Sequence, residues 1–311
     1  MFYEFGQCPA GSITLSTQDE VDDFVLAYPG CTALLGNLII DGNDITNFKG
    51  LSGIISIDGS LRVRNTQILD FMGLEFLESV GGTFDLINNN ALIALSGLDL
   101  LVSVNRFFVR QNTNLKSLDG MDSLAIIVEQ ESIIIVDNGS LISINALSTV
   151  VNCPNCSIEI NSNPNLTNLE GLENIPHTDI FYLRFVDNPN LVVCNLQNIC
   201  TFLSDGGDHM IENNASGCSS AAKILANCFF SISEVSIDSL LRLTPNPVSE
   251  ILQIHTSEGV ILQEATIYSI LGEKLLTTSD KSIDVSSFSE GLYLVTVQTD
   301  RGTITRKIIK K

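Results

Sequence analysis

Residues 84–101 read FDLINNNALIALSGLDLL, and the same order of residue types recurs along most of the chain. Apolar residues at positions 84 and 86 are followed by an asparagine at 89, leucines at 92 and 95, and a Gly-Leu pair at 97 and 98. As a pattern the unit is L-x-I-x-x-N-x-x-L-x-x-L-x-G-L-x-x-L. The alternation at its start predicts a short strand with one buried face, and the asparagine corner predicts a turn.

Six further copies of this unit surround it. They begin at Leu38, Leu61, Phe107, Ile133, Ile158 and Leu183. The glycine position recurs at 50, 73, 97, 120 and 171, with Ala146 in its place in the copy that begins at Ile133, and the last copy has its next core position at Cys194. The spacing is about two dozen residues, within the ~20–29 of leucine-rich units. Because one copy cannot bury its apolar face alone, we predict that the copies stack as a β-solenoid with parallel sheets along its length.

Two details of the repeat bear on this prediction. Amphipathic helices are the alternative for the L-x-x-L-x-x-L stretches, but the glycines, the turn clusters and the β-branched run at residues 133–136 argue against long helices.

Asparagines at equivalent corners, in residues 88–90, 112–114 and 163–165, are expected to stack and to bond backbone groups of the next copy. We therefore assign them a structural role and not a ligand-binding one.

Short helices are expected on both sides of the repeats. Thr17-Gln-Asp-Glu20 is a capping box, and apolar residues follow it at helical spacing through Tyr28, so a helix should cover the first copy. Residues 196–203 and 221–226 predict two further short helices after the last copy.

The eight cysteines indicate an oxidising compartment, since their number is even and six of them lie near the two ends of the repeats. Stapled caps would cover the apolar cross-sections of a solenoid, and we predict the pairs Cys8–Cys31, Cys194–Cys218 and Cys200–Cys228. Cys153-Pro-Asn-Cys156 is a C-x-x-C, for which a redox pair, half of a zinc site and a local structural disulfide are the alternatives. Its place just before a strand favours the local disulfide.

The repeat, together with its Cys-flanked N-terminal helix, resembles the receptor L-domain, a leucine-rich-like right-handed β-helix. The similarity extends over roughly residues 8–229 and includes the cysteine pattern from Cys194 to Cys228. It implies a fold and leaves the ligand open, because members of that group bind varied partners.

The last part of the chain has a different pattern. Alternating segments at residues 251–254, 264–268, 274–277, 282–285, 292–297 and 302–309 are short and closely spaced, with glycine and asparagine turns between them. This pattern predicts a mainly β module, an Ig-like β-sandwich.

The same residues resemble the type A sorting domain of the type IX secretion system of Bacteroidota. The motif residues are Pro245, Asn246 and Pro247, then Gly272 in Ile267–Lys274, then Gly291 and Tyr293 in Gly291–Val297, and finally Lys307 in the Lys-Ile-Ile-Lys-Lys end. The resemblance implies export through the outer membrane, with the secretion machinery and its surface peptidase as partners. The mature protein would be secreted or attached at the outer-membrane surface. Such cargo first needs a signal peptide, so we expect that the given start, residues 1–7, is truncated or misplaced.

Charge separates the same two parts. Residues 1–236 hold 8 basic and 27 acidic residues, whereas residues 237–311 hold 8 and 9. We therefore expect an N-terminal cap at 1–32, repeats at 33–193, a Cys-rich cap at 194–229, a linker at 230–240 and the sorting domain at 241–311. A polyanionic surface disfavours nucleic acid and anionic membranes, and no apolar run reaches the ~20 residues of a membrane helix.

The sequence indicates no catalytic, metal or cofactor site. The three histidines, His177, His209 and His255, lie in no H-E-x-x-H motif, no G-x-S-x-G occurs, and we place His209 in an exposed loop of the Cys-rich cap. We expect a non-catalytic recognition or adhesion protein that binds a protein or glycan through its sheet face, where Arg62, Arg64, Arg106 and Arg110 are the candidate residues. The alternative role of these arginines is solvated charge on the strands. The alternative functions are a structural spacer or surface-layer protein, and a surface polysaccharide-degrading enzyme.

Overall fold

The computed structural model describes residues 8–128, 132–228, 241–257, 259–270, 272–300 and 302–311. The chain divides into two compact units, residues 1–230 and 231–311. The prediction of a mainly β chain is confirmed. The segments 1–7 and 230–240, expected as a misplaced start and as a linker, lie outside the described residues.

The first unit contains one twelve-stranded sheet in which the described strand pairs are parallel. Its strands are β1 (Ile13–Leu15), β2 (Ala33–Leu34), β3 (Leu38–Asp41), β4 (Ser56–Ile57), β5 (Leu61–Arg64), β6 (Ser79–Ile87), β7 (Ser103–Arg110), β8 (Ile126–Ile127), β9 (Ile133–Val136), β10 (Cys156–Asn161), β11 (Ile180–Val186) and β12 (Asp208–Glu212). The main row of neighbours is β1-β3-β5-β6-β7-β9-β10-β11-β12, so each strand pairs with the equivalent strand of the next copy.

The register of this row places the repeat's apolar positions opposite one another. Leu61 pairs with Phe84, Phe84 with Phe107, and Phe107 with Ile133, and these side chains have no exposed surface. The rings of Phe48, Phe71, Phe84 and Phe107 follow one another at centroid distances of 5.4, 5.8 and 5.6 Å. The continuous core thus lies between copies, as burial of an alternating strand face requires.

A second row of short strands was not predicted. β2 pairs with β4, β4 with the start of β6, and the start of β7 with β8. These pairings involve two residues each, Ala33–Leu34 opposite Ser56–Ile57 for example, so they are too short for a period of two to be recognised in the sequence.

A ladder of buried asparagines joins the copies at the corner that follows each main strand. The backbone N–H of Asn112 donates to Oδ1 of Asn138 at 3.1 Å, and Nδ2 of Asn138 donates to the carbonyl of Val109 at 2.9 Å. Asn163 and Asn188 repeat both bonds one and two copies later. The expected structural role is therefore present, although the backbone groups bonded lie in the preceding copy and not in the next one.

The glycine position allows copies to approach closely. Gly73 has φ +108°, and a Cβ there would lie 2.2 Å from the backbone carbon of Phe48 in the preceding copy. Gly97 and Gly171 share this conformation, with φ +103° and +108°. Only glycine accommodates both the positive φ and the contact.

Three α-helices flank or follow the repeats: α1 (Gln18–Ala27), α2 (Gln197–Ser204) and α3 (Ala221–Cys228). Thr17 caps α1 by accepting a bond from the backbone of Glu20, as the capping box predicts, and Val21 and Phe24 are buried. Single 3₁₀ turns occur at Lys49–Leu51, Asn145–Thr149 and His177–Asp179. None of the described helices has the length and apolarity needed to cross a membrane.

The disulfides join the pairs expected from the sequence: Cys8–Cys31, Cys153–Cys156, Cys194–Cys218 and Cys200–Cys228. Cys153 and Cys156 are fully buried, and the second of them begins β10. Cys200 in α2 and Cys228 at the end of α3 tie these two helices together.

The sheet continues beyond the predicted copies at both ends. β1 pairs with β3, and β12 pairs with β11, so that His209 lies opposite Leu183 and Ile211 opposite Phe185. The placement of His209 in a loop is therefore wrong, because residues 208–212 form an eighth strand position of the repeat. The pattern was obscured because the polar His209 takes the place of the first apolar residue.

The second unit contains two antiparallel sheets. Its strands are β13 (Leu241–Thr244), β14 (Ile251–Thr256), β15 (Leu262–Ser269), β16 (Lys274–Thr278), β17 (Ser282–Asp284), β18 (Gly291–Thr299) and β19 (Gly302–Lys310). Strands β13-β14-β17 form one sheet and β16-β15-β18-β19 the other. Alternate residues of both sheets, among them Leu252, Ile267 and Val295 with no exposed surface, form a single hydrophobic core.

Candidate functional site

The arginines of the first unit share one face of its parallel sheet. Residues 1–236 contain five arginines, Arg62, Arg64, Arg106, Arg110 and Arg184, in strands β5, β7 and β11. Each lies next to a buried inward position of its strand, so each points to the outer side of the sheet. We call this set the arginine face.

Two of these arginines converge on one carboxylate. Nε of Arg62 lies 3.1 Å from Oδ2 of Asp85, and a terminal nitrogen of Arg110 lies 2.8 Å from Oδ1 of the same residue. The Asp85 side chain is 3% exposed, whereas the arginine side chains are 40% and 37% exposed. The carboxylate therefore holds two half-exposed guanidinium groups in fixed positions on β5 and β7.

The remaining arginines extend this arrangement. Arg64 pairs with Asp41 at 2.8 Å, and Arg184 lies 3.9 Å from Glu159. The guanidinium carbon of Arg110 lies 5.4 Å from the centroid of the Phe108 ring, which also faces outward. Ordered guanidinium groups beside an aromatic ring are suited to hydrogen bonding with carboxylate, sulfate or phosphate groups, since their donors form a planar fork.

The face contrasts with the rest of its unit. Residues 1–236 carry 27 acidic residues and only three basic residues besides the arginines, namely Lys49, Lys116 and Lys223. Among the described residues of strands β3 to β12, the five arginines stand with five outward acidic residues, Asp41, Asp85, Glu159, Asp208 and Glu212. The arginine face is thus a nearly neutral region within an acidic unit.

Four of the five arginines were predicted from the sequence, whereas Asp85 and Arg184 were not. Asp85 lies opposite Arg62 in the register of β5 and β6, and 23 residues separate the two in the chain. The signal that was available is the repeat itself, since residues at equivalent positions of successive copies become neighbours.

The histidines lie in separate elements. His177 begins a 3₁₀ turn, and His209 is exposed in β12 with Nδ1 2.8 Å from the carbonyl of Gly207. His255 in β14 lies with Nε2 2.7 Å from the hydroxyl of Thr244 in β13.

In the second unit, the first and last motifs of the predicted sorting domain meet. Nδ2 of Asn246 donates to the carbonyl of Lys307 at 3.0 Å, and its Oδ1 accepts from the backbone of Ile309 at 2.9 Å. The peptide bonds before Pro245 and Pro247 are both cis. The opening motif is thereby attached to β19.

The other motif residues occupy turns and strand starts. Gly272 has φ +84° and donates to the carbonyl of Ser269 at 3.0 Å, within the turn between β15 and β16. Gly291 begins β18 opposite Lys310, and the hydroxyl of Tyr293 donates to the carbonyl of Ser289 at 2.8 Å. Hydrogen bonds from the side chain and backbone of Ser286 hold the pKa of Asp284 in β17 below its usual value.

Comparison with known families identifies this second unit. Residues 242–311 match the family model of a secretion system C-terminal sorting domain. The match shows a type IX sorting domain, which implies interaction with the type IX machinery, export and attachment at the cell surface. No curated protein matches the sequence.

Proposed function

We propose, starting from the sorting domain at residues 242–311, that the chain is a non-catalytic recognition or adhesion protein of the bacterial cell surface. The type IX machinery exports it, and a surface peptidase removes the sorting domain. The first unit is then the mature part, either anchored or released. It binds a protein or glycan through its sheet.

The fold interpretation behind this proposal is a right-handed leucine-rich-like β-helix of the receptor L-domain type, followed by an Ig-like β-sandwich. Parallel pairing of equivalent strands, as between Leu38 and Leu61, supports the first part. Two antiparallel sheets around one core support the second. In both parts, paired strands over a buried core hold surface side chains in place before a ligand binds.

The arginine face is the observation that carries the recognition role. Outward positions on a surface strand are usually filled by varied polar residues, yet every arginine of the first unit stands on this sheet. Asp85 is buried beneath two of them, which orders their guanidinium groups before a ligand arrives. Preorganised donors bind with a smaller entropic cost than free arginine side chains.

The experiment is to probe glycan and protein arrays with the oxidised full chain and with an Arg62→Lys/Arg110→Lys variant. Lysine keeps a positive charge beside Asp85 but lacks the planar fork, so the fold should be retained while ligand binding weakens by about tenfold or more. The matched control is Lys49→Arg/Lys223→Arg, which changes the same residue types elsewhere on the unit. Binding that is equally strong in both variants would exclude the arginine face as the ligand site.

Export has its own test. Deleting residues 241–311 should leave the protein inside the cell envelope of a bacterium that has the type IX machinery. Cell fractionation and immunoblotting measure the surface fraction. Normal export of the deleted form would overturn the sorting assignment for this chain.

A row of exposed side chains, aliphatic except for Lys116, favours a second candidate, a self-associating surface-layer protein. The backbone of Ile93 bonds Leu69, that of Lys116 bonds Ile93 and that of Ile142 bonds Lys116, each between successive copies. Leu69, Ile93 and Ile142 are 57%, 45% and 55% exposed. Concentration-dependent assembly of the purified chain in light scattering, abolished by Ile93→Lys and Ile142→Lys, would support this candidate in place of ligand recognition.

A further inference from the structure

The outer side of the four-stranded sheet in the second unit carries an apolar patch that the fold itself does not use. Tyr268 lies opposite Leu294, and Leu292 lies opposite Ile309, in the register of β15, β18 and β19. Leu292, Leu294 and Ile309 are 43%, 38% and 40% exposed. Directly opposite residues of antiparallel strands point to the same side, so these four form one continuous surface.

Two lysines border the apolar residues. Lys307 lies opposite Leu294 on β19, and Lys274 lies opposite Tyr268 on β16, and both are exposed. On the other side, hydroxyl pairs such as Thr296 with Thr305, whose oxygens are 2.9 Å apart, end the apolar area. The six residues Tyr268, Lys274, Leu292, Leu294, Lys307 and Ile309 are here named the motif patch.

The patch consists of sorting-motif residues whose side chains point away from the hydrophobic core. Ile267, Val295 and Ile308, which alternate with patch residues along the same strands, are 0%, 0% and 1% exposed. Burial of these core residues explains the inward half of the motifs on β15, β18 and β19. The outward residues Leu292, Leu294 and Ile309 remain about 40% exposed, and burying that area would contribute about 25 cal/mol per Å².

The other sheet provides an internal comparison. Its outward positions Arg242, Gln253, His255, Ser282 and Asp284 are polar, and Ile251, 40% exposed, is aliphatic. The domain thus exposes a mostly polar surface on this sheet and a group of neighbouring aliphatic residues on the other. Exposed apolar patches bordered by polar residues are typical of protein-binding sites.

We propose that the motif patch is the surface by which the sorting domain docks on the export machinery, and that the complementary surface is apolar with carboxylates at its border. This inference rests on the proposed export function. A protein is favoured over a membrane surface because lipid-binding segments use clusters of about four to eight basic residues, and the patch has two. Burial of the aliphatic side chains at the centre of the patch supplies affinity. The two lysines favour a partner whose surface has carboxylates around its apolar centre.

The test compares full-length variants in a bacterium with the type IX machinery. Leu294→Asp places a charge at the centre of the patch, and Thr303→Asp places the same charge on the same sheet face but outside the patch. The exported fraction should fall by about tenfold or more for Leu294→Asp, the factor expected for loss of a central anchor residue, and stay within about twofold of wild type for Thr303→Asp.

Two further variants distinguish loss of docking from misfolding of the second unit. Leu294→Ala and Lys274→Glu/Lys307→Glu alter the patch without inserting a charge among its aliphatic residues, and both should also reduce export several-fold. Urea unfolding of each purified chain checks that its second unit remains folded. Wild-type export of these folded variants would overturn the docking assignment, even if Leu294→Asp failed to fold.

The outcomes separate this inference from the proposed function. If deletion of residues 241–311 leaves export unchanged, the export function itself is wrong. If the deletion blocks export while the patch variants are exported normally, only the docking surface is wrong. Loss of self-association, or of binding to vesicles of anionic lipid, in a Leu294→Asp chain that is still exported normally would assign the patch to a second copy or to lipid and overturn the proposal.

Discussion

Arg110 donates a 2.8 Å hydrogen bond to Asp85, a residue 25 positions earlier in the chain whose side chain is 3% exposed. Arg62 bonds the other carboxylate oxygen from the opposite side, at 3.1 Å. One buried charge therefore orders two guanidinium groups on strands β5 and β7. Asp85 therefore contributes both to the stability of the sheet and to the positions of the two arginine side chains on its outer face.

Replacing Asp85 by Asn should lower the free energy of unfolding of the first unit by about 1–3 kcal/mol, because two charge-assisted bonds in a buried position are weakened. Urea unfolding of the oxidised chain measures this. The control is Asp41→Asn, which affects the more exposed pair with Arg64 and should cost less than about 1 kcal/mol. Equal effects of the two variants would show that burial of Asp85 does not matter.

Asn138→Ala should destabilise the first unit by about 1–3 kcal/mol, since it leaves buried backbone groups of Asn112 and Val109 without their partner. Asn114 provides the comparison. Its Nδ2 also bonds a backbone carbonyl, that of Asn90 at 2.7 Å, but on the exposed side of the corner. An Asn114→Ala change should therefore stay below about 1 kcal/mol, and a larger loss there than at Asn138 would contradict the role of the buried ladder.

Gly73→Ala should cost about 3 kcal/mol or more, because the new Cβ would meet the backbone of Phe48 and the residue has φ +108°. Gly11→Ala is the matched change, since a Cβ at Gly11 has no heavy atom within 4 Å. Thermal unfolding of both variants distinguishes a close contact between copies from a general effect of removing glycine. A stable Gly73→Ala protein would mean that the copies lie further apart than described.

Loss of the Cys200–Cys228 disulfide should lower the free energy of unfolding by about 3–4 kcal/mol in the chain-entropy account, because the bond closes a loop of 28 residues. The Cys200→Ser/Cys228→Ser variant is compared with the parent protein before and after reduction. The difference should persist only in the oxidised samples. Mass spectrometry of unreduced peptides should recover Cys194 joined to Cys218, and a free thiol at either residue would contradict this arrangement.

Local and periodic features were predictable from the sequence. The capping box at Thr17 places the start of α1 correctly because an N-cap depends on residues within one turn. The seven copies of the repeat were recognised for a related reason, since burial of alternate residues leaves the same pattern in each strand. Six strands of the second unit likewise coincide with the alternating segments of the sequence, whereas β13 at Leu241–Thr244 was not predicted.

Contacts across copies could not be predicted residue by residue. The bond between Arg62 and Asp85 depends on the register of β5 against β6, and a shift of one residue would turn both side chains to the other face. The strand at residues 208–212 was missed because the exposed His209 stands opposite Leu183, at a position that is apolar in the other copies.

The sequence by itself determined where the main strands of the seven copies, the α1 cap and the sorting motifs lie, because each depends on residues close together or on a repeated pattern of burial. Tertiary structure alone decided which outward side chains meet. Asp85 lies beneath two arginines, and Leu294 lies between Tyr268 and Lys307, because pairing of distant strands sets their register. The sequence has no periodic pattern that shows which outward residues contact one another, because almost any residue type is tolerated at a solvent-exposed position.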